Sequence, residues 1–191
     1  MRTTTELRDA ILAAARAEFA QYGLAGARID RIARAANASK ERLYAHFGDK
    51  ETLFRDVVVA DGAEFFRAVG LRPEAVAEFA GDIFDLAQNQ PEHLRMITWA
   101  QLEGFWIGKP EVDGEHPPDL AIAALEQARA EGYVDPAWEP QELLVLLFGI
   151  GLGWARWPDP TAVTTDPDIL ARRRAAVVEA AARVIKPGMH S

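Results

Sequence analysis

The 191-residue chain is 49% hydrophobic and 26% charged, which is ordinary for a globular protein and excludes a disordered one. It has no cysteine, which excludes disulfides, thiolate metal sites and a cysteine nucleophile, and no two of its four histidines (His46, His93, His116 and His190) stand at a metal-ligand spacing. Its net charge of −8 at first argues against nucleic-acid binding, because neutralising phosphates requires Lys and Arg.

Helices are predicted from the start of the chain. Apolar residues recur every four positions from Leu7 to Phe19 and predict a helix over about residues 5–21, and the threonines before it provide capping hydroxyls. Gly23 and Gly26 are expected to end this helix.

A helix-turn-helix is predicted between Arg28 and Phe47. Two short amphipathic helices meet there across a tight turn at Asn37-Ala38. Ser39 is a typical N-cap for the second helix, which turns Leu43 inward and leaves its basic and aromatic side chains largely outward. In a helix-turn-helix, this second helix enters the major groove of DNA. A fourth helix follows, and four helices in about sixty-five residues leave no room for a sheet.

The rest of the chain is also predicted to be helical. Four prolines stand where helices begin, because a proline in the first turn loses no hydrogen bond, and no segment alternates apolar and polar residues as a strand does. About nine helices are predicted, so the fold class is all-α, with an N-terminal three-helix helix-turn-helix domain and a C-terminal helical bundle. The four prolines are Pro73, Pro91, Pro140 and Pro167.

No segment is predicted to enter a membrane. The N-terminus is charged where a signal peptide needs an apolar run. The longest apolar stretch, Leu143 to Trp154, has twelve residues, whereas a membrane-spanning helix needs ~20. The sequence therefore predicts a soluble, cytoplasmic protein.

The charge is unevenly distributed. Residues 1–55 hold ten basic and seven acidic residues, a balance of +3, so the other 136 residues carry −11. A basic N-terminal part on an acidic body is expected when one end of a protein meets nucleic acid. Taken alone, this asymmetry is also consistent with chance segregation of surface charge.

The segment around the predicted second helix of the motif contains Ser39, Leu43-Tyr44, His46-Phe47 and Lys50-Glu51-Thr52-Leu53. In these elements it resembles the tetracycline-repressor (TetR) family. That family has a capping Ser, a Leu-Tyr pair, a His-Phe pair and a Lys-Glu-x-Leu helix start. With matches at Phe19, Gly23 and Ile32-Ala33, the resemblance covers roughly residues 5–60. Any one of these residues is also consistent with ordinary core packing or a solvated surface, but that alternative does not explain why all the elements occur at the family's spacing.

The resemblance implies the roles of particular residues in DNA binding. Lys40 and Arg42 match positions that read bases, as Lys and Arg do at guanine O6 and N7. Lys50 matches a phosphate contact at a helix start. The family has threonine near Arg28, so this arginine is expected to reach a phosphate or the groove while its helix is capped from elsewhere. The predicted DNA-binding residues are Arg28, Ser39, Lys40, Arg42, Tyr44, His46 and Lys50.

The resemblance also implies a DNA-binding domain over residues 1–50 and an effector-binding and dimerisation domain over residues 51–191. The segment 139–157 is too apolar for a helix with one face in water, and together with a last helix over 168–185 it suits a homodimer on inverted-repeat DNA. A monomeric core helix is the alternative. The glycines at 149–153 lack the G-x-G-x-x-G spacing after a strand, so they predict close helix packing or a kink rather than nucleotide binding.

In the family the C-terminal part encloses a ligand cavity, and the aromatic side chains available here suit an apolar or aromatic effector. Glu103 would orient a cationic or hydroxylated one. Each candidate is also consistent with ordinary core packing. The predicted effector-binding residues are Met96, Trp99, Glu103, Trp106, Phe148 and Trp154.

Together these features predict a sequence-specific DNA-binding transcriptional regulator, a repressor released from an inverted-repeat operator by a small molecule. No cofactor and no metal are predicted. One alternative is a constitutive DNA-binding protein with no effector or with a protein partner. The other is an all-α enzyme, for which the sequence offers no nucleophile–base pair, paired carboxylates or metal spacing.

Overall fold

The structure, a computed structural model, describes residues 3–105 and 114–186. These residues form ten α-helices and two short 3₁₀ helices, with no β-strand among their elements, so the predicted all-α fold is confirmed. The helices are α1 (Thr4–Gly26), α2 (Ile29–Ala35), α3 (Lys40–Phe47), α4 (Lys50–Ala68), α5 (Val76–Asn89), α6 (Pro91–Leu102), α7 (Pro117–Ala130), α8 (Pro140–Gly151), α9 (Gly153–Arg156) and α10 (Pro167–Ile185).

Helix α1 begins as its threonines predict. The Thr3 hydroxyl accepts a hydrogen bond from the Glu6 N–H, and the Glu6 carboxylate accepts one from the Thr3 N–H, which together form a capping box. Gly23 does not end the helix but kinks it, with φ +66°. A Cβ at Gly23 would lie 2.8 Å from the Trp99 ring, so both the backbone angle and the space favour glycine.

The described residues form two compact units. The first comprises residues 3–64 and 92–105, and the second comprises residues 65–91 and 114–186. Helix α6 therefore packs with the N-terminal helices. The predicted boundary after residue 50 separates a DNA-binding part from an effector-binding and dimerisation part, and this division of roles stays a prediction.

The first unit is built on a hydrophobic core shared by α1 to α4 and α6. Phe19 packs edge-on against Phe54, with ring centroids 5.1 Å apart, and both rings are fully buried. Ile32 of α2 and Leu43 of α3 are also fully buried in this core. Each such side chain contributes about 1.5–3 kcal/mol to folding, so the core fixes the orientation of α2 and α3.

The second unit is built on α5, which packs against α8 and α10. A Cβ at Gly81 would lie 2.8 Å from Val178, and a Cβ at Gly151 would lie 2.7 Å from Ile83, so these helices approach closely. At Leu152 the backbone leaves the helix, and the segment predicted as one helix becomes α8 and α9. This break explains why ten helices are found and about nine were predicted.

None of the described helices combines the length and the apolar character needed to cross a membrane.

Candidate nucleic-acid interface

The turn between α2 and α3 has the predicted geometry. Asn37 takes a left-handed conformation with φ +52°, which asparagine tolerates better than most residues. The Ala38 N–H donates to the Ala33 carbonyl at 2.9 Å and closes the turn. Ala33 and Ala36 are buried, and their small side chains allow α2 and α3 to cross closely.

Helix α3 presents a polar outer face, as predicted. The Ser39 hydroxyl accepts a hydrogen bond from the Arg42 N–H at 3.3 Å and caps the helix. Lys40 and Arg42 are exposed, and Tyr44 is 45% exposed. His46 is half-buried beside the Phe47 ring. The inner face is held by buried residues of the core, so the outer side chains are carried on a fixed helix.

Glu41 adds a negative charge to the start of α3. Its own backbone N–H and the Ser39 hydroxyl hydrogen-bond the carboxylate, and these bonds lower the pKa of Glu41 below its usual value. Glu41 is therefore ionised at neutral pH, next to the cations predicted to meet DNA.

Glu18 fixes the start of α2, a role that sequence reasoning missed. Its buried carboxylate accepts hydrogen bonds from the Arg28 N–H at 2.8 Å and from the Arg31 side chain at 2.7 Å. Arg31 also lies over the Tyr22 ring, 4.3 Å from its centroid. Glu18 of α1 thus satisfies the N–H of Arg28, the N-cap residue of α2, although no side chain caps the first turn of this helix. The Arg28 side chain remains 65% exposed, 3.4 Å from Asp30.

Lys50 joins the end of α1 to the start of α4. Its ammonium donates to the Ala25 carbonyl at 3.4 Å and to the Ala27 carbonyl at 3.3 Å. An ammonium has three donors, so one stays available for the predicted phosphate contact. Asp49 caps α4 by accepting from the Thr52 N–H at 2.7 Å.

Three of the predicted effector residues lie in the first unit. Met96 is fully buried in its hydrophobic core. The Trp99 indole lies against Gly23 and donates to the Ala20 carbonyl at 3.3 Å. Glu103 is exposed. Trp106 lies outside the described residues.

The other two predicted effector residues lie in the second unit. The Phe148 ring packs between Phe65 and Phe79, at centroid distances of 5.9 and 5.7 Å. Trp154 lies beneath the Arg173 guanidinium, 3.9 Å from it, and lines a surface groove. A cavity shared by the predicted effector residues stays a prediction.

A cluster of charged residues in the first unit was not predicted. Asp61 and Glu64 of α4 face His93 of α6, and Arg16 of α1 donates to both carboxylates. Asp61 is fully buried, and burial raises the pKa of its carboxyl although Arg16 and His93 act in the opposite direction. Arg16, Asp61 and His93 are far apart in sequence, so no local spacing of residues indicated this cluster.

Comparison with known families decides the identity of this fold. A model for bacterial regulatory proteins of the tetR family matches residues 11–57, which include α2, α3 and the turn between them. A second model, for the tetracyclin repressor-like C-terminal domain, matches residues 75–183, more than half of the chain. The chain belongs to the TetR family. This TetR-family protein is therefore a helix-turn-helix, DNA-binding transcriptional regulator, as the sequence predicts.

Individual relatives agree with this assignment. The chain is 34% identical over 149 residues to the HTH-type transcriptional repressor SCO4008 of Streptomyces coelicolor, with 76% of each chain covered. It is 26% identical over 173 residues to the HTH-type transcriptional regulator RutR of Escherichia coli, with 85% and 81% covered. These relatives are regulators of transcription, which favours a regulator over the all-α enzyme.

Solved structures show the same fold. SCO4942 of Streptomyces coelicolor is 36% identical, with a TM-score of 0.81 over 95% of this chain and 99% of that one. AibR, solved in complex with isovaleryl coenzyme A and operator DNA, has a TM-score of 0.67 over 95% and 100% of the two chains. At 17% identity the likeness to AibR shows the fold alone.

Proposed function

We propose that this TetR-family regulator is a homodimeric repressor that binds an inverted-repeat operator through α3 and leaves it when a small molecule binds. The observation that carries the proposal is the outer face of α3. Lys40 and Arg42 are exposed at its start, while Leu43 and Phe47 anchor the opposite face in the core. This arrangement supports insertion of α3 into the major groove with its first turn at the base edges.

Within this proposal the side chains divide by chemistry. Lys40 and Arg42 read bases, since their donors match the acceptors of guanine. The remaining predicted residues contact phosphates or support those that do, and they set the register of the protein on the duplex. The latter residues are Arg28, Ser39, Tyr44, His46 and Lys50.

The proposed dimer forms through α8 and α10. Three large apolar side chains in and after α8 are exposed to solvent in the single chain: Val145 by 64%, Leu146 by 42% and Trp157 by 62%. Trp157 also lines a groove of about 620 Å³ whose mostly apolar walls include residues of α8, α9 and α10. A second copy of the same helices would cover this surface and form a four-helix interface.

The proposed effector is a small apolar or aromatic molecule. Phe148 belongs to an aromatic cluster with Phe65 and Phe79, and aromatic side chains of this kind suit contact with such a molecule. The AibR structure holds both an acyl-coenzyme A and operator DNA, which supports effector control in this fold. An effector releases the operator only if it binds the DNA-free conformation more tightly than the bound one.

The experiment that tests the proposal is selection of genomic DNA fragments by the purified protein at near-physiological salt, repeated with Arg42→Ala. Arg95→Ala is the matched control, because Arg95 is an exposed arginine of α6 outside α2 and α3. Enrichment of one inverted repeat by the wild type and by Arg95→Ala, with loss or relaxation in Arg42→Ala, is the expected result. Binding with no enriched sequence, unchanged in Arg42→Ala, would refute operator recognition by α3.

A further inference from the structure

Three helices of the first unit bring one basic, two acidic and one imidazole side chain together. Asp61 and Glu64 lie one turn apart on α4, and His93 lies in the first turn of α6. Arg16 of α1 donates from Nε to Asp61 and from its terminal nitrogen to Glu64, the latter at 2.8 Å. None of these residues belongs to α2 or α3, and the proposed function does not use them.

Two buried polar atoms of this cluster have no hydrogen-bond partner among the described residues. They are Asp61 Oδ2 and His93 Nδ1. Asp61 is fully buried, and the His93 side chain is 9% exposed. A buried polar atom without a partner is costly, and native proteins satisfy nearly all of them. The Arg16 guanidinium satisfies only part of this cluster, so ion pairing within the protein does not account for it.

The separations within the cluster suit metal coordination. His93 Nδ1 lies 3.8 Å from Asp61 Oδ1, and His93 Nε2 lies 3.6 Å from Glu64 Oε2, both too long for hydrogen bonds. One ligand atom from each of the three residues lies within 4.8 Å of the others. Ligands of a tetrahedral zinc ion are about 3.4 Å apart, because each bond is about 2.0–2.1 Å long. One imidazole nitrogen binds the ion, so both carboxylates must approach that nitrogen more closely when the metal is bound.

We propose that Asp61, Glu64 and His93 form a binding site for one divalent cation of the zinc class. One imidazole nitrogen with two carboxylate oxygens is a ligand set that Zn²⁺ and its neighbours accept, and water completes the coordination. The two carboxylates neutralise the charge of the cation. In the absence of metal, the Arg16 guanidinium balances the two carboxylates. Arg16 is 22% exposed, and in this proposal its side chain turns toward solvent when the metal binds.

Burial supports the need for a cation at this position. Asp61 is fully buried, and a dication offsets the cost of removing its carboxylate from water more fully than one shared guanidinium does.

The test is titration of untagged protein with Co²⁺ and Zn²⁺, followed by calorimetry and by the visible absorption of Co²⁺. One equivalent per chain is expected to bind. Glu64→Gln is expected to weaken binding by roughly tenfold or more, and His93→Gln to abolish it. Glu64 is half-exposed, so Glu64→Gln tests the site without disturbing the core. His116→Gln, a change of an exposed histidine in the second unit, is expected to leave binding unchanged.

The arginine gives a second test with the opposite sign. Arg16→Gln removes the competing cation, so the metal is expected to bind more tightly and to raise Tm more than in the wild type. No bound equivalent, or binding that is the same in Glu64→Gln, His93→Gln and wild type, would overturn the proposal. So would an Arg16→Gln variant with wild-type helicity and weaker metal binding. These readouts need no DNA, so their failure is separate from failure of operator binding.

Discussion

At the scale of single residues, Glu18 determines whether α2 is correctly placed. Glu18→Ala removes the carboxylate that accepts hydrogen bonds from the Arg28 N–H and from the Arg31 side chain. Both hydrogen bonds are partly buried. We expect the free energy of unfolding to fall by about 2–3 kcal/mol, since both lost hydrogen bonds involve a charged group. Urea denaturation measures this change. Asp9→Ala, an exposed acidic residue on the same helix, is the control and is expected to have little effect. Equal losses in the two variants would contradict the role given to Glu18.

A second residue-scale prediction concerns Glu41. Its pKa is lowered, so it carries a full negative charge in the face that approaches phosphates. Glu41→Gln removes this repulsion while keeping the side-chain size. We expect operator affinity to rise by about threefold at low salt and the gain to shrink as salt screens the charge. Fluorescence anisotropy with a labelled operator measures both. If Glu41→Gln instead lowered the affinity, and only for operators with a particular base pair at one position, Glu41 would be accepting a hydrogen bond from a cytosine.

At the scale of elements, what could be predicted depended on how local the signal is. Helix α3 was predictable because its cap and its inward residues lie within nine positions of one another, from Ser39 to Phe47. The role of Glu18 was not predictable, because it accepts a hydrogen bond from an N–H ten residues away, and this contact depends on how α1 packs against α2. The kink at Gly23 depends on Trp99, which is far more distant in sequence. The cluster at His93 was missed for the same reason.

Two glycines of α8 provide a matched test of helix packing. A Cβ at Gly151 would lie 2.7 Å from Ile83 and 2.8 Å from the Ala80 carbonyl oxygen, a backbone atom that cannot move aside. A Cβ at Gly149 would meet nothing within 4 Å. We expect Gly151→Ala to destabilise the protein by about 1–3 kcal/mol, because it overpacks the contact with α5. Both changes are compared in a Val145→Asp background, which separates the copies and leaves Gly149 facing solvent, and there Gly149→Ala is expected to be neutral or stabilising by about 0.5–1 kcal/mol, because alanine favours a helix. Denaturation at one fixed protein concentration measures both, and a reversed order would contradict the close approach of α8 to α5.

At the scale of the whole molecule, the proposed operator recognition and the proposed dimerisation depend on each other. A single α3 contacts one half-site, and specific affinity for an inverted repeat requires two copies held together. The electrostatic asymmetry fits this division, because the basic residues are concentrated in the first 55 positions and the acidic ones beyond. An acidic body does not add phosphate contacts, so a monomer is left with the contacts of one helix-turn-helix.

Val145→Asp tests this link. Val145 is 64% exposed in the single chain, so an aspartate there remains hydrated and the fold is retained, but in the proposed dimer the charge would be buried without a partner. We expect a monomer by analytical ultracentrifugation, unchanged helicity, and operator affinity reduced by roughly a hundredfold or more, with binding to an isolated half-site preserved. Val59→Asp, the same substitution at an exposed valine of α4, is the control, and this variant is expected to remain dimeric. A Val145→Asp protein that still sediments as a dimer would mean that another surface joins the two copies. A monomer that binds the full operator as tightly as the wild type would mean that dimerisation is not what sets the affinity for the operator.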